Sequence, residues 1–286
     1  MQTAALTALA MIALAANSLL CRWALTEGMI DPASFASFRV VSAAVVLAFL
    51  VKRKARGGTA GAPRESRDFM AAAALAVSML LFSFAHVTIE AGSGALIVFG
   101  AAQLTMFAMA LRNGPPFRAA PWVGFALALA GLIYLLSPGS TAPPLFGGIL
   151  MAVAGIGWGV HSLRGSGSDR ALESTSRNFV LAVPPVLAIH VAVASSTLLT
   201  LTGVLAAVCA GALASAGGYA IWYAALRKLK AAPAATVQLS VPLIAVLGGV
   251  VLLAEELTVR LMVSSLVILG GIVLAMVQPP RQFKDT

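Results

Sequence analysis

Residues 69–111 read FMAAAALAVSMLLFSFAHVTIEAGSGALIVFGAAQLTMFAMAL, and Glu90 is the only formally charged residue among them. A helix that crosses a bilayer needs about 20 predominantly apolar residues. The stretch is therefore long enough for two such helices, at approximately 69–89 and 91–111, with a tight break near Glu90. Helices are the expected structure because lipid offers no hydrogen bonds to an exposed backbone.

Runs of the same kind recur along the whole chain. They lie at approximately 3–23, 32–51, 119–137, 145–164, 177–195, 201–225, 231–253 and 259–277. The composition agrees with these runs, since 60% of the residues are hydrophobic and only 10% are charged. Soluble proteins carry about 25% charged residues. We therefore predict an all-α membrane protein with ten transmembrane helices and no separate soluble domain.

The basic residues predict the orientation of this bundle. All of the 19 Lys and Arg residues except Arg22, Arg39 and Arg260 fall on one side of the predicted membrane. Because Lys and Arg concentrate in cytoplasmic loops, this bias places both termini in the cytoplasm and the protein in the cytoplasmic (inner) membrane. It also accounts for the net charge of +9 through contact with anionic lipid headgroups. We expect membrane lipids and a small-molecule substrate as partners, with no nucleic acid and no obligate protein partner.

The ten predicted helices divide into two sets of five, at 1–140 and 141–286. An odd number of helices in each half means that the halves insert with opposite orientation. An offset of 140 residues lays residues 91–95 over residues 231–235 and matches the runs of one half to those of the other. Inverted repeats are typical of transporters that work by alternating access. An old duplication without alternating access is the alternative interpretation.

Motifs that would indicate an enzyme are missing from the sequence. It contains no phosphate-binding G-x-x-x-x-G-K-[ST] loop, no H-E-x-x-H and no G-x-S-G of the intramembrane-protease kind. The two cysteines, Cys21 and Cys209, are not at a metal-ligand spacing. We predict that the protein is not an enzyme and that it has no catalytic residue, no metal and no cofactor.

The acidic residues bear on how transport would be driven. All ten lie in predicted loops or at helix ends, so no carboxylate is expected at mid-membrane, where proton carriers usually lie. This favours facilitative transport. The remaining candidates for a proton carrier are His86, His161 and His190.

Polar and aromatic residues within the runs are the candidate substrate-binding residues, because their side chains are costly to expose to lipid. They are Asn17, Ser18, Ser78, Phe82, His86, Gln103, Trp158, His161, Tyr219, Tyr223 and Gln238. Asn17 or Gln103 could instead hydrogen-bond a neighbouring helix. Trp158 lies too deep for an interfacial aromatic belt, so it either lines a cavity or packs in the core.

Four further residues are candidates for gating or structural roles. Arg39 is either a ligand for a substrate carboxylate or a structural anchor near the outer interface, and we favour the anchor. As an anchor it could snorkel to the periplasmic face with its long stem, or pair with Glu90 or Asp31. Gly157 is either a close-packing position or a hinge. Pro233 and Pro242 free backbone carbonyls and could kink the helix predicted at 231–253.

Two pairs of strings resemble the EamA-type branch of the drug/metabolite transporter superfamily. The first pair is Asn17-Ser-Leu-Leu-Cys-Arg-Trp-Ala followed by Asp31-Pro-Ala-Ser-Phe-Ala-Ser-Phe-Arg39. The second is Ala232-Pro-Ala-Ala-Thr-Val-Gln-Leu-Ser-Val-Pro-Leu followed by Leu253-Ala-Glu-Glu-Leu257. The first half departs from the family pattern, since Asn113-Gly-Pro-Pro stands where the second half has its acidic turn.

This resemblance implies export or exchange of small organic solutes through a central cavity shared by the two halves. The length and layout are similar to those of YddG-type exporters, so neutral and aromatic amino acids are the leading substrates. The expected cavity is bounded by helices 1, 3, 4, 6, 8 and 9. A lipid flippase or scramblase and an exporter of other small metabolites or drugs are the alternatives.

Overall fold

The computed structural model describes residues 2–55, 68–113, 119–165, 170–193, 198–226 and 237–276. Within these ranges the chain is helical apart from short connections, and the one strand-like feature is an isolated β-bridge between Ile30 and Leu199. The helices are α1 (Gln2–Thr26), α2 (Pro32–Lys54), α3 (Phe69–Ala85), α4 (Ala91–Asn113), α5 (Ala119–Leu136), α6 (Leu145–Gly165), α7 (Ala171–Val193), α8 (Leu201–Leu226), α9 (Ser240–Leu253) and α10 (Val259–Met276). The all-α prediction is confirmed.

Seven of the described helices are long and apolar enough to cross a membrane. They are α1, α2, α4, α6, α7, α8 and α10. The other three are equally apolar but shorter, and they comprise Phe69–Ala85, Ala120–Leu136 and Ser240–Leu253. Many large side chains are exposed on the outer surface of the bundle, among them Phe146 at 74% and Leu266 at 75%. Lipid solvates such a surface, so the protein is a multi-pass membrane protein.

Ion pairs join the helix ends at one end of the bundle, which we call the basic end. Lys54 Nζ at the end of α2 lies 2.8 Å from Glu173 Oε1 in the first turn of α7. Arg164 Nε at the end of α6 lies 2.7 Å from Asp68 Oδ2. The Asp68 carboxylate also caps α3 by accepting from the Ala71 N–H at 3.0 Å, which satisfies a donor that the first turn leaves free.

Different contacts join the helix ends at the opposite end of the bundle. The Asp31 N–H before α2 donates to the Leu198 carbonyl before α8 at 3.0 Å. Arg260 in the first turn of α10 donates to the Ser137 carbonyl that follows α5. Since helix starts and helix ends alternate between the two ends of the bundle, consecutive helices run antiparallel.

Helix pairing holds the bundle together. The most extensive contacts are those of α5 with α10, α2 with α7, α3 with α6, and α1 with α8. Next come α4 with α6, α2 with α8, α3 with α7, α4 with α9, and α1 with α9. The two longest-range pairings, α1 with α8 and α1 with α9, pack the first helix against helices from the last third of the described chain.

Gly157 allows α6 to approach α3 closely. A Cβ at this position would lie 2.7 Å from the Ala74 carbonyl oxygen of α3, closer than real Cβ contacts come. Gly155 and Gly159, on the same helix, face carbonyl oxygens of Val98 and Ala102 in α4. Small residues permit such backbone-to-backbone packing between membrane helices. The surroundings of Gly157 are those of a close-packing position.

The middle of α8, Ala210–Gly217, is a π-helical segment. Its sequence, Ala-Gly-Ala-Leu-Ala-Ser-Ala-Gly, consists almost entirely of small residues, which leave room for the backbone of α2. A Cβ at Gly211 would collide with the Arg39 carbonyl oxygen. Widened turns of this kind occur often at functional sites, and this one faces the two helices that carry Asn17 and Arg39.

Candidate functional site

Four aromatic side chains form a continuous row through the interior of the bundle, from α4 through α6 to α8. Phe99 and Trp158 meet edge to face with ring centroids 4.7 Å apart. Trp158 Nε1 donates to the Tyr219 hydroxyl at 3.1 Å. Tyr219 and Tyr223 are stacked with centroids 6.0 Å apart and an interplanar angle of 20°. We call Phe99, Trp158, Tyr219 and Tyr223 the aromatic row.

Two residues of α7 extend the aromatic row. The Tyr223 hydroxyl lies 2.8 Å from Thr175 Oγ1, and the Phe179 ring packs against Tyr219 with centroids 6.0 Å apart. The structure thus brings together three of the predicted site residues, Trp158, Tyr219 and Tyr223. Sequence reasoning missed Phe99, Thr175 and Phe179, because isolated Phe and Thr in apolar runs are common on lipid-facing and core positions alike.

Arg39 lies in the interior on α2, with 4% of its surface exposed. Its guanidinium carbon stands 4.7 Å above the centre of the Phe82 ring, and the next residue, Val40, belongs to the same buried cluster as Tyr219 of the aromatic row. Neither Nε nor Nη1 has a hydrogen-bond partner among the residues that the structure describes. Burial to this degree is not what snorkelling to the interface would produce.

The predicted pairing of Arg39 with Asp31 or Glu90 is wrong for the part of the chain that the structure describes. The three ion pairs found there involve other residues. Asp31 instead caps α2, and its Oδ1 accepts from the Ser34 N–H at 2.9 Å. Eight helical residues separate Asp31 from Arg39, or about 12 Å along the helix axis, so the cap and the guanidinium do not meet.

His86 is the third member of a group that also contains Phe82 and Arg39. Its ring meets Phe82 edge to face with centroids 4.6 Å apart. Nδ1 lies 3.1 Å from the Ile89 carbonyl oxygen, so Nδ1 carries the hydrogen and Nε2 of the neutral ring is an acceptor. Nε2 is buried and has no hydrogen-bond partner.

The polar pair of α1 joins this helix to α8. Asn17 Oδ1 accepts a hydrogen bond of 2.9 Å from Ser215 Oγ, which lies in the π-helical segment. The neighbouring Ser18 is buried as well. Asn17 therefore makes the interhelical hydrogen bond that was the alternative prediction for this residue.

The remaining predicted residues are not part of the contacts that form the aromatic row. Ser78 is buried beside Gly157, where α3 and α6 touch. His161 Nδ1 lies 3.3 Å from the Ala71 carbonyl and 3.4 Å from Asn178 Nδ2, and so links α6 to α3 and α7. Gln103 on α4 and Gln238, just before α9, are half-buried.

The structure describes one of the two candidate prolines, Pro242. Pro242 lies in the first turn of α9, which begins at Ser240. Residues 237–238 are helical as well, so a one-residue turn at Leu239 interrupts the helix directly ahead of Pro242. A break there agrees with the predicted kink, because proline lacks the N–H that would bond to the carbonyl four residues before it. Pro233 lies outside the described residues.

Glu255 forms a polar cluster at the end of the bundle opposite the basic end. α9 ends at Leu253, and Ala254 takes the left-handed conformation with φ 54° and ψ 31°, which turns the chain back. Glu255 Oε1 then accepts from the Ala91 N–H at 2.7 Å, at the start of α4, and Oε2 accepts from the Gly92 N–H at 3.4 Å. A carboxylate is favourable there because a helix N-terminus carries partial positive charge.

Arg22 completes this cluster from the end of α1. Its Nε lies 3.6 Å from Glu255 Oε1, and its Nη1 donates to the carbonyl oxygens of His86 and Val87 at 2.9 and 3.1 Å. Glu90 stands nearby, where burial and then the negative charge of Glu255 raise its pKa above the ordinary value. The cluster ties together the adjoining ends of α1, α3, α4 and α9.

The described residues contain no group of three or more His, Cys, Asp or Glu side chains placed to hold a metal ion. What the interior offers is recognition chemistry. It has aromatic faces, a buried guanidinium with free donors and a buried imidazole acceptor, which suit a small organic solute with an apolar body and polar ends.

Comparison with known proteins gives similarities of three kinds. Residues 145–277 match the EamA-like transporter family. The chain is 43% identical over 256 residues to an uncharacterized protein of Pseudomonas aeruginosa, an alignment that covers 90% of this chain and 88% of the relative. Its fold is similar to that of a protein of known crystal structure, with a TM-score of 0.64, 18% sequence identity and coverage of 94% of this chain and 95% of the other.

Proposed function

This chain belongs to the EamA-like transporter family, and we propose that it is a secondary transporter that exports small organic solutes across the cytoplasmic membrane by alternating access. The aromatic row is the observation that carries the proposal. The interior holds Trp158, Tyr219 and Tyr223 in contact with one another, and it also holds buried polar atoms of Arg39 and His86 that have no partner among the described residues. A small solute with an apolar body and polar ends would complement both features.

The proposed topology has ten transmembrane helices, both termini in the cytoplasm, and inverted repeats at 1–140 and 141–286. The helix pairing supports it. Exchanging each helix with the one five places along leaves the main pairs unchanged, since α3 packs on α6 as α8 packs on α1, and α4 packs on α6 as α9 packs on α1. The pairs α2–α7, α4–α9 and α5–α10 map onto themselves. The positive-inside rule assigns the basic end, with Lys52, Arg53 and Lys54, to the cytoplasm.

The proposed substrates are neutral and aromatic amino acids. Aromatic faces such as those of Trp158 and Tyr219 pack well against an aromatic or aliphatic side chain. The described interior holds no buried Asp or Glu, which agrees with transport down the substrate gradient without a carboxylate proton carrier.

Uptake by proteoliposomes tests this proposal. Purified protein is reconstituted and given labelled amino acids, with and without an imposed pH gradient. We expect saturable flux of phenylalanine or another neutral amino acid, unchanged by the gradient. Flux that requires the gradient would contradict the facilitative mechanism. An absence of flux for every amino acid would overturn the substrate class, and lipid scrambling by the same vesicles would then be measured.

A further inference from the structure

Arg39 is the only Lys, Arg, Asp or Glu that is buried among the residues the structure describes. A guanidinium stays protonated at every physiological pH and carries five N–H donors. Removing such a charge from water is costly unless an anion and hydrogen-bond acceptors replace the water. Here Nε and Nη1 have no acceptor, and the ion pairs of the described chain leave Arg39 out.

The groups around Arg39 do not neutralise it. Phe82 offers the face of its ring at 4.7 Å, an interaction that compensates only part of the lost hydration. Cys21 and Tyr219 carry a thiol and a phenol, whose ordinary pKa values of about 8.5 and about 10 leave them uncharged at neutral pH. Of the acidic residues at this end of the bundle, Asp31 caps α2 and Glu255 caps α4, and Glu90 is in none of the ion pairs of the described residues.

We propose that Arg39 binds the carboxylate of the transported solute, so that the substrates of this protein are small carboxylates, with amino acids among them. This inference rests on the proposed transport function. The planar guanidinium presents paired donors that match the two oxygens of a carboxylate. A carboxylate at Arg39 also lies near the aromatic row, because Val40, the residue after Arg39, belongs to the same buried cluster as Tyr219, and the apolar part of the solute then packs against the row.

His86 supplies a second contact for an amino acid. It flanks the same Phe82 ring as Arg39, and its Nε2 is a buried acceptor without a donor. An ammonium group is a donor only, so Nε2 suits the amino group of a solute whose carboxylate is held by Arg39. The two unsatisfied groups thus have the opposite hydrogen-bonding characters that the two ends of a zwitterion require.

Binding to the purified full-length protein in lipid nanodiscs tests the assignment, with tryptophan fluorescence as the signal because Trp158 lies in the aromatic row. The probes are L-phenylalanine, 3-phenylpropionate, which lacks the amino group, and phenethylamine, which lacks the carboxylate. We expect both acids to bind and phenethylamine to bind much more weakly. Arg39→Gln should weaken both acids by about tenfold or more, the loss typical of one hydrogen bond to a charged group, and Arg39→Lys should restore part of it.

Controls separate recognition from folding. Arg164→Gln removes a cation of an exposed ion pair at the basic end, and it should leave the binding of all three probes unchanged. Arg39→Gln should melt at the same temperature as the wild type or higher, because it removes a buried charge without a partner. A large drop in melting temperature for Arg39→Gln and Arg39→Met would show a structural anchor and overturn the assignment.

The remaining outcomes are equally decisive. No saturable signal with either acid, equal affinity of Arg39→Gln and wild type for the acids, or a preference for phenethylamine would each overturn the carboxylate site. Flux of phenylalanine with the same KM in Arg39→Gln and wild type would do so while leaving the transport function intact. Binding of the acids without any flux would support the carboxylate site and contradict the proposed transport function.

Discussion

Replacing Trp158 separates a substrate-contacting residue from a packing residue. Trp158→Phe keeps an aromatic ring next to Phe99 but removes the hydrogen bond from Nε1 to the Tyr219 hydroxyl. A hydrogen bond of this kind contributes about 0.5–1.5 kcal/mol. Trp158→Ala also removes the edge-to-face contact with Phe99, which is worth a further ~0.5–1.5 kcal/mol beyond the buried area. The phenylalanine substitution should therefore be tolerated, and the alanine substitution should be the more disruptive.

The assay is the uptake of labelled phenylalanine and of labelled alanine by proteoliposomes. Size-exclusion chromatography measures the amount of folded protein, and each variant is compared at an equal amount. If the aromatic row binds the solute, Trp158→Ala should lower the ratio of phenylalanine to alanine flux by about fivefold, the equivalent of ~1 kcal/mol. Trp122→Ala is the matched control, because Trp122 is 51% exposed on the outside of α5, and it should leave the ratio unchanged. An unchanged flux ratio in Trp158→Ala, with less folded protein, would make Trp158 a packing residue and refute the reasoning.

Three further predictions concern stability. Gly157→Val should lower the free energy of unfolding by about 1–3 kcal/mol, because the added side chain forces α6 away from the Ala74 carbonyl. The yield of monodisperse protein should fall accordingly. The control is Gly270→Val, at a position with open space around it, and it should keep the wild-type yield. A double-mutant cycle of Asn17→Ala and Ser215→Ala should give a coupling energy of about 0.6 kcal/mol, typical of interhelical hydrogen bonds in membranes. Additive effects of the two substitutions on the free energy of unfolding would show that the 2.9 Å hydrogen bond does not contribute to stability. Burial, the largest effect, raises the pKa of Asp68, but the Ala71 N–H and Arg164 together bring it below 3.8. The Asp68 carboxylate should therefore stabilise the protein above about pH 4, and this contribution should be lost as the pH falls through the lowered pKa. In thermal melts, the difference in melting temperature between the wild type and Asp68→Asn should shrink at acidic pH. A difference that stays constant with pH would contradict the pairing.

Hydropathy predicted the positions of the helices because the bilayer imposes one length and one polarity on every span. The boundaries erred where a helix continues into polar residues. α7 begins at Ala171, ahead of the predicted run at 177, because Glu173 in its first turn pairs with Lys54 and complements the helix dipole. A window that sums hydropathy cannot detect a helical turn stabilised by such a pair.

The site was predictable only in part. Mid-helix Trp158, Tyr219 and Tyr223 were found because aromatic and polar side chains are rare in apolar runs, and the structure brings them together. The capping of α4 by Glu255 was not, since the two partners are 164 residues apart in the chain. Among the described residues Arg39 has no counter-ion, and this too is a property of packing, because Asp31 is only eight residues away in sequence and yet caps α2.

The π-helical segment in α8 also escaped the sequence. Its signal is a run of small residues, Ala210–Gly217, which is just as compatible with a regular close-packed helix. The widened turn arises where the backbone of α2 presses on Gly211 and where Ser215 reaches Asn17 on α1. These contacts with two other helices are not visible in the sequence of the segment itself.

Counterflow tests most directly whether the interior of this bundle is a solute pathway that opens to each side in turn. Proteoliposomes are loaded with a high concentration of unlabelled phenylalanine, diluted into a trace of labelled phenylalanine, and sampled over time. Alternating access predicts a transient accumulation of label above equilibrium, because unlabelled solute leaving the vesicle returns the site to the outside. A monotonic approach to equilibrium, or the same time course in protein-free vesicles, would contradict transport by this protein.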